Sequence, residues 1–397
     1  MVQPSPASTS DVEAQYLRAA HVQPEGRLAD AEEKTMWFSP QELRDLKLAS
    51  RDVVVVEGGA GYGRSAYIAS PMEGWGYQNS IIRVRPRPGL SEGRFLNYVF
   101  QSLLFTGETA LAASVATIPH YTADKVGATR HWMPNVEAQG LIADFLDRET
   151  AQIDAMIEAQ EELTARIREH HAASRAHAVL PLLLEGARLK KILRESDERA
   201  RTRAESLPLL SVSVDWGVQR RDESAVNQAA SDNLSHYKLA REGDIVLNRM
   251  RAFQGALGRA PADGIVSPDY SVFRPRQAVL TEWLSLVMRS GPFVAVMASR
   301  IRGIGSVDSG QVRTPRLNAR DLLDIRLRIP NTCEQARSLE EWNRTDKQIG
   351  DLINSASEVV RLLRERREAL ITAAVTGRID PATGVEQTDP ATYKEAS

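Results

Sequence analysis

The residues with the most direct chemical promise are Gly58-Gly59-Ala60-Gly61-Tyr62-Gly63-Arg64-Ser65, which follow the apolar run Val53-Val54-Val55-Val56. A strand entering G-x-x-x-x-G-R-S is one residue away from a phosphate-binding loop. Such a loop needs a lysine to reach the β- and γ-phosphates and a helix whose N-terminus faces them. Arg64 stands where the lysine is required, and Pro71, Gly74 and Gly76 exclude a long helix beyond it. A glycine-rich hairpin that lets backbone approach a ligand fits better. A nucleotide-dependent enzyme centred on residues 58–65 stays as the alternative from a different class.

A second kind of chemistry sits in the same loop and in a later one. Tyr62 and Arg64 belong to the first. The segment from Arg249 to Arg259 holds Arg249, Arg251, Phe253 and Gln254, with Asn248 just before it and Arg220 and Arg221 upstream. Arginine reads guanine bidentately, asparagine and glutamine read adenine, and aromatic rings fill the groove or stack. Ordinary solvated polarity competes with this reading at each position taken singly. The histidines give no metal signature: His170-His171 lies late in a helical stretch, where adjacent residues point apart. Arg361, Arg364, Arg366 and Arg367 form a basic run whose simplest reading is a solvated helix face. No H-E-x-x-H, no G-x-S-x-G at a strand–turn–helix and no dinucleotide fingerprint occurs. The site residues are therefore DNA-binding candidates, with no catalytic or metal residue among them.

The elements that must position these loops come in duplicate. Shifted by 196 residues, Pro119, Ala123, Arg130, Pro134, Asn135, Gln139, Arg148, Gln152, Ile153 and Ile157 meet Pro315, Ala319, Arg326, Pro330, Asn331, Gln335, Arg344, Gln348, Ile349 and Ile353 without a gap. That period is far longer than a solenoid unit and matches a domain plus a connector. Upstream of each connector the sequence is mixed. The 53–56 run reads as a buried strand, Ser80-Ile81-Ile82-Arg83-Val84-Arg85-Pro86 alternates and stops at proline, and residues 93–105 read as a helix. Lys47-Leu48-Ala49 before Asp52-Val53-Val54 matches Lys238-Leu239-Ala240 before Asp244-Ile245-Val246, and Arg85-Pro86 matches Arg274-Pro275. The first copy lacks a counterpart to roughly residues 186–205.

Each connector reads as one long helix. Leu146, Ile153, Met156, Leu163 and Ile167 follow heptad spacing, and Trp342, Ile349, Leu352, Val359, Leu363 and Leu370 repeat it. About 40 residues at about 1.5 Å each span roughly 60 Å. So narrow an apolar seam needs a partner, and the simplest is the other helix. An antiparallel pair is expected, with Leu146, Ile153, Met156, Leu163, Ile349, Leu352, Val359 and Leu363 lining the seam.

Composition sets outer bounds. The 397 residues carry 42% hydrophobic and 26% charged residues and a net charge of −2, which is ordinary for a soluble globular chain of two or three domains. One cysteine, Cys333, excludes an internal disulfide framework and a cysteine-based zinc site, and suits a reducing cytoplasm. The first ten residues lack the regions of a signal peptide, and residues 178–184 are too short a run to span a membrane. Charge is uneven: residues 186–320 hold 22 Lys/Arg against 14 Asp/Glu, whereas 1–118 hold 11 against 13 and 135–180 hold 4 against 9. A basic second domain fits a polyanionic partner.

Ile118-Pro119, then Met133-Pro134-Asn135-Val136-Glu137-Ala138-Gln139, then Ile142-Ala143-Asp144-Phe145-Leu146-Asp147-Arg148-Glu149-Thr150-Ala151-Gln152-Ile153-Asp154 resemble the first conserved region of specificity subunits (HsdS family) of type I restriction-modification enzymes. Arg366-Arg367-Glu368-Ala369-Leu370-Ile371-Thr372-Ala373-Ala374-Val375-Thr376-Gly377-Arg378-Ile379-Asp380 resembles the end of the second. Ala138 departs from the pattern by separating two residues usually adjacent in the family. The resemblance implies an α+β chain with two target-recognition domains, related by the repeat and separated by a long antiparallel two-helix coiled coil. The implied division is 1–118 for the first recognition domain, 119–180 for the first helical region, 181–314 for the second domain, 315–380 for the second helical region and 381–397 for a disordered tail. It also implies a non-catalytic subunit of a bacterial or archaeal cytoplasmic complex that reads a bipartite double-stranded DNA target with an unread spacer. Its partners would be two methylation subunits and restriction subunits, with no membrane. S-adenosylmethionine, ATP and Mg would reside on those partners, leaving no cofactor on this chain. The nearest alternative is the specificity partner of a fused restriction-methylation enzyme outside type I.

Overall fold

The computed structural model describes residues 3–29, 34–113, 120–221, 234–276, 279–301 and 316–386; the repeat-related Pro119 and Pro315 lie outside them. In chain order the elements are β1 (Val12–Leu17), β2 (Thr35–Phe38), α1 (Pro40–Asp45), β3 (Val53–Val56), β4 (Ser65–Tyr67), β5 (Gly76–Tyr77), β6 (Ile81–Val84), α2 (Gly93–Phe105), α3 (Glu108–Ala113), α4 (Ala123–Ala128) and α5 (Val136–Leu184). There follow β7 (Ala187–Arg188), β8 (Leu193–Ser196), β9 (Leu210–Ser213), β10 (Gly217–Arg220), β11 (Lys238–Ala240), β12 (Ile245–Asn248), β13 (Leu257–Arg259), β14 (Gly264–Val266), β15 (Tyr270–Pro275), α6 (Thr281–Arg289), α7 (Gly291–Ala298), α8 (Ala319–Leu323), β16 (Arg326–Leu327) and α9 (Thr332–Val375). The fold is α+β. It divides into two compact units, residues 1–161 with 357–397 and residues 162–356, so each long helix contributes to both.

In the first unit the four valines of β3 are buried, as a β-branched run between two neighbours should be. β3 pairs antiparallel with β4 on one side and β6 on the other. A second sheet, in order β2-β1-β5, holds the N-terminal residues. The core under β3 joins Phe95, Val99 and Leu103 of α2 to Ile142 and Leu146 of α5 and Ile371 and Ala374 of α9.

The second unit repeats this plan around β12, which pairs antiparallel with β13 and β15. Here a fourth strand, β8, covers the outer edge of β15; among the described residues β6 has no such neighbour. Its core joins β12, α6 and α7 to Val179 and Leu182 of α5.

Two buried polar devices explain why the repeat keeps particular residues. Asp52, buried at the mouth of β3, accepts from the backbone N–H of Ala49 and from Arg85 at 2.7 and 2.6 Å. Asp244 does the same with the Arg241 N–H and with Arg274 at 3.3 and 3.2 Å. The hydrogen bonds that the arginines donate to these carboxylates raise the pKa of both. The second device sits at the start of each long helix. Asn135 and Asn331 cap by accepting from Ala138 N–H and Glu334 N–H, each at 2.9 Å. Gln139 and Gln335, both fully buried, donate back to the carbonyls of Pro134 and Pro330 at 2.7 Å. Their side-chain oxygens accept the N–H of Glu92 and of Leu280, the residues that precede α2 and α6. One glutamine thus fastens α2 or α6 to a long helix in each unit.

The connectors are longer than expected, 49 and 44 residues. Pro181 lies inside the last turn of α5, where the buried neighbours Val179 and Leu182 hold the helix in register. Within the first unit Asp154 and Glu161 bond Arg367 and Arg364, so the segments run antiparallel. Within the second, His171 and Arg175 bond Asp346 and the Arg175 guanidinium lies 5.9 Å over Trp342.

The seam differs from expectation by one residue at alternate positions. Leu146 and Ile153 are buried and Ile349 and Leu363 half-buried, but Met156, Leu163, Leu352 and Val359 are 51, 49, 49 and 42% exposed. The inward positions are Thr150, Ile157, Gln160 and Thr164 on α5 and Ile353, Ala356 and Val360 on α9. A heptad seam steps by four then three, or by three then four, and both orders share every seventh residue. The order here is set where α2 meets α5: Thr150 turns inward and lies 3.2 Å from the hydroxyl of Tyr98. The stretch expected to be disordered from 381 folds back as far as Glu386, which bridges to Ile379, with the Gly384 N–H donating to the Asp380 carbonyl.

Candidate nucleic-acid interface

The glycine-rich segment of the first unit is a hairpin between β3 and β4. Three of its backbone N–H groups are used internally: Gly63 donates to Val56, Tyr62 to Gly59 and Arg64 to Gly61. Gly59 and Gly63 adopt φ of +79° and +78°, and a Cβ at Gly63 would lie 2.5 Å from Thr109. A strand follows, so the loop does not lead into a helix of its own as a phosphate-binding loop does. Tyr62 packs half-buried against the core of the unit. Arg64 folds across Gly61 and makes no hydrogen bond with its side chain among the described residues.

The equivalent turn of the second unit, between β12 and β13, is built differently. Asn248 is buried, and its side-chain oxygen accepts the Met250 N–H. Arg249 turns inward to the Leu317 carbonyl and the Asn318 side chain at 3.4 and 3.1 Å. Ala252 is buried in the core and Gly255 takes φ +89°, so the turn is anchored at both ends. Arg251 and Gln254 are exposed, and the Arg251 Nε donates to Gln254 Oε1 at 2.8 Å. Phe253 is half-buried. Arg220 ends β10 in solvent, and the Arg221 N–H donates to Leu209.

Four elements of this unit converge on Tyr270, the residue that pairs with Asn248 across the sheet. Burial raises the Tyr270 hydroxyl pKa, with Tyr237 adding to the effect, while the nearby Arg221 and Arg251 oppose it. Asp269 beside it lies 4.0 Å from Arg316. The structure therefore brings Arg221, Arg251 and Gln254 to one patch with two tyrosines. It turns Asn248 and Arg249 into supports, and Tyr62 and Arg64 belong to the other unit. Tyr237 and Tyr270 were not foreseen. Tyr237 directly precedes the strand Lys238-Leu239-Ala240 and Tyr270 opens the strand of Ser271-Val272-Phe273, and that position is the one sequence signal for them.

The first unit also has a cleft of about 1060 Å³ lined by Arg94, Tyr98, Gln101, Asp154, Glu158 and Arg367, among others. Its charges answer one another: Arg94 bonds Asp144 and Asp147 at 2.8 and 2.7 Å, and Arg367 bonds Asp154 at 3.0 Å. Burial and the neighbouring Asp147 raise the Tyr98 hydroxyl, which donates to that carboxylate at 2.8 Å. These groups form an ionic network that ties α2, α5 and α9 together within the unit. Among the described residues no group of three or more His, Cys, Asp or Glu could hold a metal, and no helix is long and apolar enough to cross a membrane.

No family model matches the sequence, and no curated protein matches it. Solved structures do. A chain from a study of complex assembly and conformational transition of the type I R-M system matches with a TM-score of 0.69 at 16% identity, over 95% of this chain and 94% of that one. The HsdS subunit of Thermoanaerobacter tengcongensis matches with a TM-score of 0.53 at 17% identity, over 93% and 91%. Over nearly its whole length, this chain has the fold of the HsdS subunit of type I restriction-modification systems.

Proposed function

We propose that this chain is the sequence-specific DNA-recognition subunit of a type I restriction-modification complex. One observation carries the reading: two units share a β-hairpin scaffold, a buried Asp–Arg pair and a buried glutamine clamp, yet present unlike loops at the same place. A duplicated scaffold with divergent loops suits a target made of two different halves. The residues offered to DNA are Tyr62 and Arg64 in one unit and Arg220, Arg221, Arg251, Phe253 and Gln254 in the other. Asn248 and Arg249 act behind them. The chain itself is non-catalytic and carries no cofactor. Two methylation subunits, with S-adenosylmethionine, and restriction subunits, with ATP and Mg, dock on it and supply the chemistry.

Co-expression with the methylation subunit, followed by mapping of methylated adenines, tests this directly. A split motif with a fixed unread gap is expected; adenine methylation in a continuous motif, or none, sinks the reading. ATP or S-adenosylmethionine turnover by the purified chain that vanishes in Arg64→Ala overturns the non-catalytic part. The continuous connectors also set the gap in this reading. Deleting one heptad from each, residues 156–162 and 352–358, removes about 10 Å of helix and should shorten the gap while both half-sites persist.

A further inference from the structure

Resting on the recognition reading above, we infer that Arg251, held by Gln254, reads a guanine in the half-site addressed by the second unit. A phosphate contact needs only charge within reach, and a flexible arginine supplies it. A guanine contact needs a guanidinium fixed in plane, so that two N–H groups meet O6 and N7 together. Arg220, Arg249 and Arg251 separate on that criterion. Arg220 ends a strand in solvent with no hydrogen bond from its side chain among the described residues. Arg249 is fixed but turned inward onto Leu317 and Asn318. Arg251 alone of the three is exposed and oriented at once. Its Nε is committed to Gln254 Oε1 at 2.8 Å, and both Nη groups carry no hydrogen bond among the described residues.

The mount is rigid as well. The Arg251 N–H donates to the Asn248 carbonyl, and its own carbonyl accepts from Gln254 and Ala256. The next residue, Ala252, is fully buried, and Gly255 closes the turn in the left-handed region, where a Cβ would lie 3.3 Å from Val294. A side chain on so constrained a turn loses little further freedom on binding. Gln254 is here a positioning residue whose amide leaves its own N–H groups for a neighbouring base edge.

The test selects from a randomised duplex pool with the full-length chain, alone and with its methylation partner. Wild type should enrich two half-sites. Arg251→Ala should relax one guanine position to any base, leave the other half-site unchanged and weaken the preferred duplex roughly ten- to a hundredfold. Arg251→Lys, which keeps the charge and loses the fork, should not restore the guanine. Gln254→Ala should keep the guanine preference at reduced discrimination. Arg220→Ala should weaken all sequences alike and lower the salt slope by about one. An unchanged motif in Arg251→Ala, or a uniform loss like that of Arg220→Ala, overturns the assignment while leaving the recognition reading intact. A wild-type chain that enriches no sequence overturns the recognition reading, and the assignment with it.

Discussion

The hairpin turn of the first unit and that of the second start from matching strands and end unlike. After β3 the chain makes a glycine-rich turn whose one long cation, Arg64, folds over its own backbone. After β12 it makes a turn with two arginines, Arg249 and Arg251, both fixed by hydrogen bonds to protein groups. What stays constant lies beneath: a buried carboxylate with its arginine, and a buried glutamine at the head of the connector. Buried polar groups left without partners cost more than exposed ones, so the duplicated scaffold keeps them while its surface loops diverge. The two copies are therefore best compared by substitutions made in pairs.

The largest difference should appear where the long helices end. Gly186 follows α5 with φ +137°, and a Cβ there would fall 2.2–2.4 Å from the backbone of Leu327 and Arg328. Gly377 follows α9 with φ +74°, and its Cβ would meet only the edge of the Trp132 ring at 3.1 Å. Backbone cannot yield as a side chain can. Gly186→Ala should destabilise the chain by about 4 kcal/mol and Gly377→Ala by about 1–2 kcal/mol, read from urea unfolding of the full chain. Equal losses would show that the two exits are packed alike.

The glutamine clamps come next. Gln139 and Gln335 are matched: each donates to the carbonyl of the proline five residues before it and accepts the N–H at the head of α2 or α6. Gln139→Ala and Gln335→Ala should each cost about 2–3 kcal/mol, since each leaves buried backbone groups unpaired. Amide exchange should rise at Glu92 in one variant and at Leu280 in the other. Exchange unaltered at those two positions would mean that water replaces the clamp.

Much of this scaffold was legible in the sequence for physical reasons. Four consecutive β-branched residues favour a buried strand, and the 53–56 run is one. Residues 93–105 carry a helical apolar face and form α2 over those same residues. Each connector reads as one long helix from its apolar spacing, and α5 and α9 are continuous over 49 and 44 residues. The interface was less legible. Arg221, Arg251, Tyr237 and Tyr270 come from four separate elements, and no local pattern places them together. Asn248 has the right chemistry for a base edge, yet its neighbours leave it buried as a turn support. The seam order was hidden because both heptad phases contain apolar side chains. The deciding contact, Tyr98 against Thr150, joins residues 52 apart in sequence.

That ambiguity supplies the comparison with the smallest expected effect. Ile153 is 5% exposed and belongs to either seam order, and Ile153→Ala should cost about 2 kcal/mol. Met156, Leu163, Leu352 and Val359 belong only to the order the helices do not use, and each is close to half exposed. Replacing any one by a polar residue of similar size, such as Met156→Gln, should change the stability of the isolated chain by no more than about 0.5 kcal/mol. Their apolar character then needs another explanation, and the proposed methylation subunits provide one: docking would bury the flank that the helix pair leaves open. The four substitutions combined should leave the melting temperature within a few degrees of wild type while weakening co-purification with the methylation subunit. A loss of several kcal/mol in the isolated chain would instead place these side chains in the seam. An unaltered complex would place the docking surface on another face of the helices.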